Sequence, residues 1–327
     1  MKAILEVEGC KYSQFEVLDQ VVTLEVGLKC VQALERRAAF TRSIGLELFR
    51  CEARVDRIVE ATRLVDFGQV LEQNGRFEVR VKHVKEASRD IDGMLLEKKL
   101  GELVLRATSH AKVDLRNPDK RFLGILTQGS FIFGLKIGEI AAKPFVDRRP
   151  RKKPFFHPSA LQAKLARCMV NLARPRTGDL ILDPFCGTGT TLIEAGLIGC
   201  RSLGIDVQRR MVIGTLKNLD FYNLASEGVL VADVKNLPVK KADCVVTDPP
   251  YGISSTTLKR DTRQIVIDLL KCARDLLENG KCVCLAAPKT LEIGKVGDRL
   301  GYKHLESHHV YVHRSLTREI AVFEKVR

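Results

Sequence analysis

At 327 residues the chain is long enough for two or three domains, and 45% apolar residues suffice to build their cores. Its apolar runs are too short to span a bilayer, and glutamates stand where a signal peptide needs an apolar run, so we expect a cytoplasmic protein. The net charge of +14 is uneven: residues 1–147 carry 24 basic and 22 acidic side chains, whereas residues 148–327 carry 30 and 18. This excess favours a polyanionic partner, although a basic surface that only aids solubility is the alternative.

The N-terminal half carries mixed helix and strand patterns. Apolar runs predict strands at Ala3–Val7 and Val21–Val26, and a helical pattern extends from Lys29 to Phe40. The later patterns predict helices at Ala53–Val65 and Leu95–Leu105, a strand at Arg76–Lys82, and strands within Gly124–Leu135. This half is therefore mixed α/β, and no motif in it indicates chemistry.

A proline-rich, charged segment follows at residues 144–158. Because proline lacks a backbone donor and fixes its own φ, we expect neither a regular helix nor an inner strand here, and we place an interdomain linker at residues 147–159. The densest basic cluster of the chain lies in this segment, and we predict that it contacts the polyanion: Arg148, Arg149, Arg151, Lys152 and Lys153.

The C-terminal half alternates strands and helices. The strands are predicted at Asp179–Asp183, Arg201–Asp206, Val229–Ala232, Cys244–Thr247 and Cys282–Ala286, and the helices at Thr190–Ile198, Gln208–Tyr222, Thr262–Glu278 and Leu291–Leu300. Such alternation predicts a parallel sheet with helices on both faces. Two alternating runs, Ser307–His313 and Glu319–Glu324, predict a terminal hairpin that adds an antiparallel strand.

A glycine-rich turn joins the first of these strands to its helix. In the run Asp183-Pro184-Phe185-Cys186-Gly187-Thr188-Gly189-Thr190, the two glycines allow a tight turn and close approach to a ligand at the helix start. The run is neither GxGxxG nor a P-loop, so a nucleotide-like ligand without a pyrophosphate fits best. A plain strand-to-helix turn is the alternative.

Acidic residues end the next two strands. Asp206 is placed to accept both ribose hydroxyls of an adenosine. Asp233, or the backbone of the neighbouring Val234, can reach an adenine edge. A strand-terminal aspartate is often only a helix cap or turn residue, but three of them at successive strand ends favour a ligand site.

The run Asp248-Pro249-Pro250-Tyr251-Gly252 follows the fourth strand, beside the glycine turn. Consecutive prolines remove two backbone donors and leave the carbonyls as acceptors. Together with the Asp248 carboxylate they can hold an aromatic amino group with its lone pair outward, while Tyr251 stacks on the base. The pattern predicts methylation of an exocyclic amine.

These motifs resemble the class I, Rossmann-like amino-methyltransferases. The phrases RRPRKKPFFHPSAL, LARCMVNLARPRTGDLILDPFCGTGTTLIEA and VVTDPPYG resemble more specifically the archaeal and eukaryotic tRNA guanosine N2-methyltransferases that modify position 10. The resemblance implies a ferredoxin-like domain at residues 1–50, a THUMP RNA-binding domain at 51–146 and a methyltransferase domain at 160–327. The runs FEVRVK, VDLRNPD and GLKIGEI fit a THUMP domain in outline.

The family pattern also implies residue roles. Asp248, Pro249, Pro250 and Tyr251 would hold the guanine amine. The residues implied for S-adenosylmethionine are His157, Ser159, Asp183, Phe185, Cys186, Gly187, Thr188, Gly189, Asp206, Asp233 and Val234. A structural role for His157 is favoured over catalysis, because a sulfonium methyl needs no strong base. The basic cluster would bind tRNA, and the product would be N2-methylguanosine or its N2,N2-dimethyl form.

Three other functions compete with this one. A DNA amino-methyltransferase shares the Asp-Pro-Pro-Tyr motif, but it normally carries a target-recognition insertion that is not evident here. An rRNA guanine N2-methyltransferase is the nearest alternative. A tRNA-binding protein with an inactive methyltransferase fold is disfavoured by the intact motif. We expect no metal site, since the CxC pair Cys282 and Cys284 lies in an apolar run typical of buried thiols.

The strand Val229–Ala232 is expected at the border of the sheet. It is apolar and carries no charge to discourage pairing with another strand. Some members of the family use a small zinc-binding activator subunit that pairs there, so a heterodimer is one expectation. An edge covered by the chain's own N-terminal domain or linker is the other.

Overall fold

The structure is a computed structural model that describes residues 1–72, 74–108, 110–251, 261–314 and 316–326. Its backbone contacts divide the chain into two units. The N-terminal unit comprises Lys11–Glu35 and Thr41–Ile140. The C-terminal unit comprises Met1–Cys10, Arg36–Phe40 and Ala141–Arg327, so two short N-terminal segments belong to it.

Residues 1–140 form these elements in chain order: α1 (Lys2–Val7), β1 (Tyr12–Leu18), β2 (Val21–Val26), α2 (Cys30–Arg37), β3 (Ser43–Glu52), α3 (Val55–Arg63), α4 (Phe67–Val70), β4 (Arg76–His83), α5 (Gly93–Ala107), β5 (Lys112–Val113), β6 (Lys120–Thr127) and β7 (Ser130–Glu139). β1 and β2 form an antiparallel hairpin, and the other strands form a sheet in the order β3-β7-β6-β4-β5. Its core contains Phe122 stacked on Phe133, with ring centroids 5.7 Å apart.

Most of the elements expected in this half are confirmed. The strand at Val21–Val26, the strand of β4 and the helix of α5 lie where the patterns placed them. The prediction of a strand at Ala3–Val7 was wrong, because these residues form helix α1. A short run of consecutive apolar residues cannot be assigned to a helix or to a strand by its periodicity alone. Here Ala3, Ile4 and Leu5 are buried in the C-terminal unit.

The remaining elements belong to the C-terminal unit. They are α6 (Lys143–Asp147), a 3-10 turn (Pro150–Lys152), α7 (Ala163–Leu172), β8 (Leu180–Asp183), α8 (Thr190–Gly196), β9 (Arg201–Asp206), α9 (Arg209–Phe221), β10 (Gly228–Val231), a 3-10 turn (Val234–Asn236), β11 (Cys244–Thr247), α10 (Thr262–Leu276), β12 (Cys282–Pro288), a 3-10 turn (Lys289–Leu291), α11 (Ile293–Arg299), β13 (Tyr302–His313) and β14 (Leu316–Lys325).

Within the described part of this unit, seven strands form one sheet in the order β10-β9-β8-β11-β12-β14-β13. β8 to β12 pair in parallel, and β14 runs antiparallel between β12 and β13. The parallel sheet and terminal hairpin are thus confirmed, and so is β10 as the strand at the border. The strand order reverses between β8 and β11: β9 and β10 lie on one side of β8, and β11 lies on the other. The loops after β8 and β11 therefore diverge and leave a crevice for a ligand.

The prolines of residues 144–158 do not prevent helix formation. Pro144 occupies the first turn of α6, and Pro150 begins the 3-10 turn. A helix leaves its first N–H groups without internal partners, so proline there loses no hydrogen bond. The expectation that this segment holds no regular helix was therefore wrong.

Both cysteines of the CxC pair lie on β12 as free, buried thiols. They pack in the same apolar cluster as Met169 of α7. Burial raises the pKa of Cys282 to about 11 and also raises that of Cys284. No helix of the described residues has the length and apolar character that crossing a membrane requires.

Candidate active site

The glycine turn after β8 adopts a backbone that only glycine takes up easily. Gly187 has a φ of +52° and Gly189 a φ of +75°. A Cβ on Gly189 would lie 2.7 Å from Cγ2 of Thr215, so α9 closes in on the turn. Cys186 donates its N–H to the carbonyl of Ile205 at 2.9 Å, which joins the turn to β9. Any larger residue at Gly189 would displace α9 or the turn.

Asp206 lies at the carboxyl end of β9 and binds this turn directly. Its Oδ2 accepts the N–H of Gly187 at 3.1 Å, and its Oδ1 accepts the N–H of Gln208 at 2.9 Å. Burial raises the pKa of Asp206, and the two backbone N–H donors oppose that rise. Each carboxylate oxygen keeps lone-pair capacity, so the group can accept hydroxyl protons of a ligand beside the turn.

Asp183 is 2% exposed and faces inward. Its Oδ1 accepts from the hydroxyl of Thr247 at 2.6 Å and from the N–H of Phe185 at 3.1 Å, so it joins the ends of β8 and β11. Burial raises the pKa of Asp183 to about 7, and the negative charge of Asp248 contributes to the rise. Asp183 therefore connects the loops that follow β8 and β11.

The remaining expected cofactor residues flank the turn or the next strand end. Cys186 and Thr188 are buried, and the Thr188 carbonyl accepts from Nδ2 of Asn218 at 2.9 Å. Asp233 accepts the N–H of Lys235 at 3.0 Å, so its carboxylate caps the 3-10 turn that contains the buried Val234. The cap role considered for Asp233 is thus present in the structure.

His157 and Ser159 lie before α7 and bind each other, with Nδ1 of His157 2.7 Å from Oγ of Ser159. The chain just before them is bound to α9 through Asn218, which donates to the carbonyl of Phe155 and accepts its N–H, both at 2.9 Å. The Phe155 ring lies against Gly214, where an added Cβ would come within 2.0 Å of it. Asn218 therefore holds the 155–159 segment beside the glycine turn.

Asp248 follows β11 and is 13% exposed. Its Oδ2 lies 3.3 Å from Nη2 of Arg318, and its Oδ1 has no hydrogen-bond partner among the described residues. Burial raises the pKa of Asp248 to about 6, and Arg318 opposes the rise. Pro249 is buried and has no backbone N–H to donate. The Asp248 carboxylate is therefore the strongest hydrogen-bond acceptor at the end of β11. Gly252, the last residue of the motif, lies outside the described residues.

Arg318 on β14 is a residue of this site that the sequence patterns did not identify. Its guanidinium carbon lies 5.4 Å from the ring centroid of Tyr251, in addition to the contact with Asp248. The only sequence signal was a basic residue just outside the apolar run Glu319–Glu324. That signal does not show which strand β14 pairs with, so it could not have located Arg318.

The basic cluster is divided between the interior and the surface. Arg148 forms a two-pronged contact with the buried Glu194 of α8, at 2.7 and 3.2 Å. Lys153 is 5% exposed and donates to the hydroxyl of Thr190 at 2.5 Å, and burial lowers its pKa to about 8. The other three basic residues are exposed: Arg149, Arg151 and Lys152. Only these three present their charge at the surface.

Strand order, glycine turn, strand-end carboxylates and the Asp-Pro-Pro-Tyr motif together define a class I, Rossmann-like methyltransferase. The crystal structure of TrmN from Thermus thermophilus shares the fold: it is 21% identical, covers 92% of this chain and 87% of that chain, and gives a TM-score of 0.53. The family model described as RMKL-like, methyltransferase domain, matches residues 150–319. A model described as DNA methylase matches residues 74–215.

Curated relatives narrow the class. A tRNA (guanine(10)-N2)-dimethyltransferase of Methanothermobacter thermautotrophicus is 35% identical over 100% of this chain and 95% of that protein. The protein of the same name from Methanocaldococcus jannaschii is 38% identical over 78% of this chain and 72% of that protein. The chain belongs to the tRNA (guanine(10)-N2)-dimethyltransferase family.

Proposed function

We propose that this protein transfers a methyl group from S-adenosylmethionine to the exocyclic N2 of a guanosine in tRNA, at position 10. The product is N2-methylguanosine and, after a second transfer, N2,N2-dimethylguanosine. The names of the relatives support the substrate and the degree of methylation. The observation that carries the chemistry is the buried Oδ1 of Asp248, an acceptor that no described residue satisfies.

The residues around the glycine turn fit S-adenosylmethionine. Asp206 offers carboxylate lone pairs to ribose hydroxyls, and the positive-φ glycines bring the backbone close to the ligand. The backbone at Val234 and the turn residues Phe185 to Gly189 would line the remainder, with His157 and Ser159 beside them. When bound, the cofactor supplies a methyl group already activated on a sulfonium.

Asp248 is the residue that binds the target amine. Its Oδ1 accepts an N–H of the amino group, which orients the nitrogen and stabilises the positive charge that develops on it. Tyr251 is placed to stack on the base after it has left its own stack, a step that costs a few kcal/mol. Proton loss follows to Asp248 or to water, so no separate strong base is required.

The tRNA would be selected outside this corner. We assign the THUMP role to residues 51–146, because three sequence runs within them resemble a THUMP domain. The exposed Arg149, Arg151 and Lys152 are the members of the basic cluster that can contact phosphates. A small zinc-binding subunit that adds a strand to β10 is a further proposal, supported by the position of β10 at the sheet border and the exposure of Val231.

Nucleoside mass spectrometry after incubation with a methyl-labelled cofactor tests the function. A tRNA transcript with guanosine at position 10 should gain label as N2-methylguanosine and its dimethyl form. A matched transcript with adenosine at position 10 should gain none. Label in rRNA but not in tRNA would favour the rRNA alternative, and labelled N6-methyladenine in DNA would favour the DNA alternative.

A further inference from the structure

Three buried polar atoms at one corner of the site have no hydrogen-bond partner within the described part of the chain. They are Oδ1 of Asp248, the hydroxyl of Tyr251 and Nε of Arg318. A polar atom buried without a partner is unfavourable, so these three atoms are candidates for contact with a bound ligand. Two of the three belong to the methyltransferase motif, and the third belongs to the terminal hairpin.

Strand pairing carries Arg318 to this corner. In β14 it lies opposite Pro288 of β12 on one side and opposite Val310 of β13 on the other. A residue at a paired position in an inner strand has a fixed backbone, so its side chain starts from a defined point. The side chain is 14% exposed and reaches both Asp248 and Tyr251.

We propose that Arg318 is a positioning residue for methyl transfer: it binds Oδ2 of Asp248 so that Oδ1 faces the target amine as a charged acceptor, and it holds the Tyr251 ring against its guanidinium. The proposal rests on the proposed function, because it assumes that the amine binds at Asp248. It assigns to the terminal hairpin a part in the reaction beyond closing the sheet.

Charge explains why Asp248 needs a cation here. Among the described residues, the titratable groups coupled to it are Arg318 from β14 and Asp183 from β8, and only Arg318 acts on it as a charge. Burial favours the protonated form of Asp248, and Arg318 opposes it. Asp183, whose own pKa is raised to about 7, is still protonated and uncharged where Asp248 titrates. Without Arg318, Asp248 would hold its proton to a higher pH, and a protonated carboxyl cannot stabilise positive charge on the amine.

Two substitutions of Arg318 separate the effect of its charge from the effect of its planar shape. A guanidinium is planar and can bind a carboxylate while it stacks on an aromatic ring, whereas an ammonium is a point charge. Arg318→Lys should therefore keep Asp248 ionised but lose the contact with Tyr251. Arg318→Gln should lose both.

Single-turnover methylation of the tRNA transcript, measured from pH 5 to 9, tests the proposal in the full-length chain. Arg318→Gln should slow transfer at least roughly tenfold at pH 7 and move the acid limb of the profile upward by about one pH unit, with partial recovery at pH 9. Arg318→Lys should restore the position of the acid limb. Lys303→Gln, which removes one exposed charge from the far end of the same hairpin, should match the wild type.

Carboxyl-carbon NMR of aspartate-labelled protein gives a second reading that does not depend on activity. The Asp248 resonance, assigned with Asp248→Asn, should titrate at higher pH in Arg318→Gln than in the wild type. If wild-type protein methylates no tRNA but this shift is present, the proposed function fails while the Arg318–Asp248 coupling stands. A uniform loss of rate at all pH values, a change in tRNA KM alone, or an unshifted Asp248 titration would overturn the proposal. Should Arg318→Gln not fold, an acid limb moved upward in Arg318→Lys would overturn it equally.

Discussion

The guanidinium of Arg37 donates a hydrogen bond from Nη2 to the carbonyl oxygen of Pro175, 2.8 Å away. Arg37 is fully buried, and the carbonyl of the same residue accepts from Nδ2 of Asn171 in α7 at 2.9 Å. Glu8 supplies its counter-charge at 2.7 Å. The first helix and the end of α2 are therefore structural parts of the methyltransferase unit, and a fragment that began at residue 160 would lose them.

Glu8→Ala should lower the free energy of unfolding by about 3 kcal/mol, because it leaves the buried charge of Arg37 without its partner. Arg36 provides the matched control, since it also binds Glu8, at 2.6 Å, but is half exposed. Arg36→Ala should cost less than about 1 kcal/mol. Urea denaturation of the three proteins measures both values, and equal losses would show that Arg37 does not depend on Glu8.

Asp248→Ala should reduce the rate of methyl transfer by roughly 10²–10³-fold, because it removes the acceptor proposed to stabilise charge on the amine. Cofactor affinity should change little, since Asp248 is proposed to face the amine and not the cofactor. Calorimetric titration of the cofactor and a turnover assay on the same samples separate the two effects. A parallel collapse of affinity and rate would place Asp248 in the cofactor pocket instead.

Asp206→Ala should have the opposite signature. Loss of the carboxylate proposed to accept the ribose hydroxyls should weaken cofactor binding by roughly ten- to a hundredfold, with a near-normal rate at saturating cofactor. Asp206 also accepts the N–H groups of Gly187 and Gln208, so Asp206→Asn, which retains one acceptor oxygen, is the control for disorder of the turn. Unchanged affinity in both variants would contradict the assignment.

Local patterns predicted the strands β9 and β11 to the residue, because glycine, aspartate and proline mark their ends. Long-range pairing could not be obtained in the same way. Arg148 and Lys153 belong to one basic run with Arg149 and Arg151, yet the first two are held by Glu194 and Thr190 of α8. Their burial depends on a helix some forty residues away, and Arg318 depends in the same way on the register of β14 with β12.

Asp183 should make stability depend on pH. Its pKa is raised from an ordinary value of 3.8 to about 7, so the folded state binds this proton more tightly than the unfolded state. The resulting stabilisation is complete below about pH 4 and is lost as the pH rises towards 7. Asp183→Asn, which cannot ionise but keeps an oxygen for Thr247 and Phe185, should remove this slope.

The free energy of unfolding of the Asn variant, minus that of the wild type, should therefore grow between pH 5 and pH 8 by a few kcal/mol. Guanidinium denaturation at several pH values measures this difference. Asp206→Asn gives a comparison at a carboxylate that is less deeply buried and should show a smaller slope. A difference that stays constant with pH would mean that Asp183 is ionised throughout.

Val231→Lys tests whether β10 is a docking edge. β10 is the outermost strand of its sheet, and Val231 is 52% exposed, so a lysine there should change the free energy of unfolding by less than about 0.5 kcal/mol. A charge on an open edge discourages pairing with another strand, so the variant should lose a strand-adding partner while it keeps its fold. Leu197→Lys, at an exposed apolar position after α8, introduces the same charge away from the edge.

Purification from the native source, followed by light scattering and zinc analysis, should show a small zinc-containing subunit with the wild type and with Leu197→Lys but not with Val231→Lys. A wild-type protein that is monomeric, free of zinc and fully active, with an edge variant of equal activity, would exclude the subunit and leave the methyltransferase assignment unchanged.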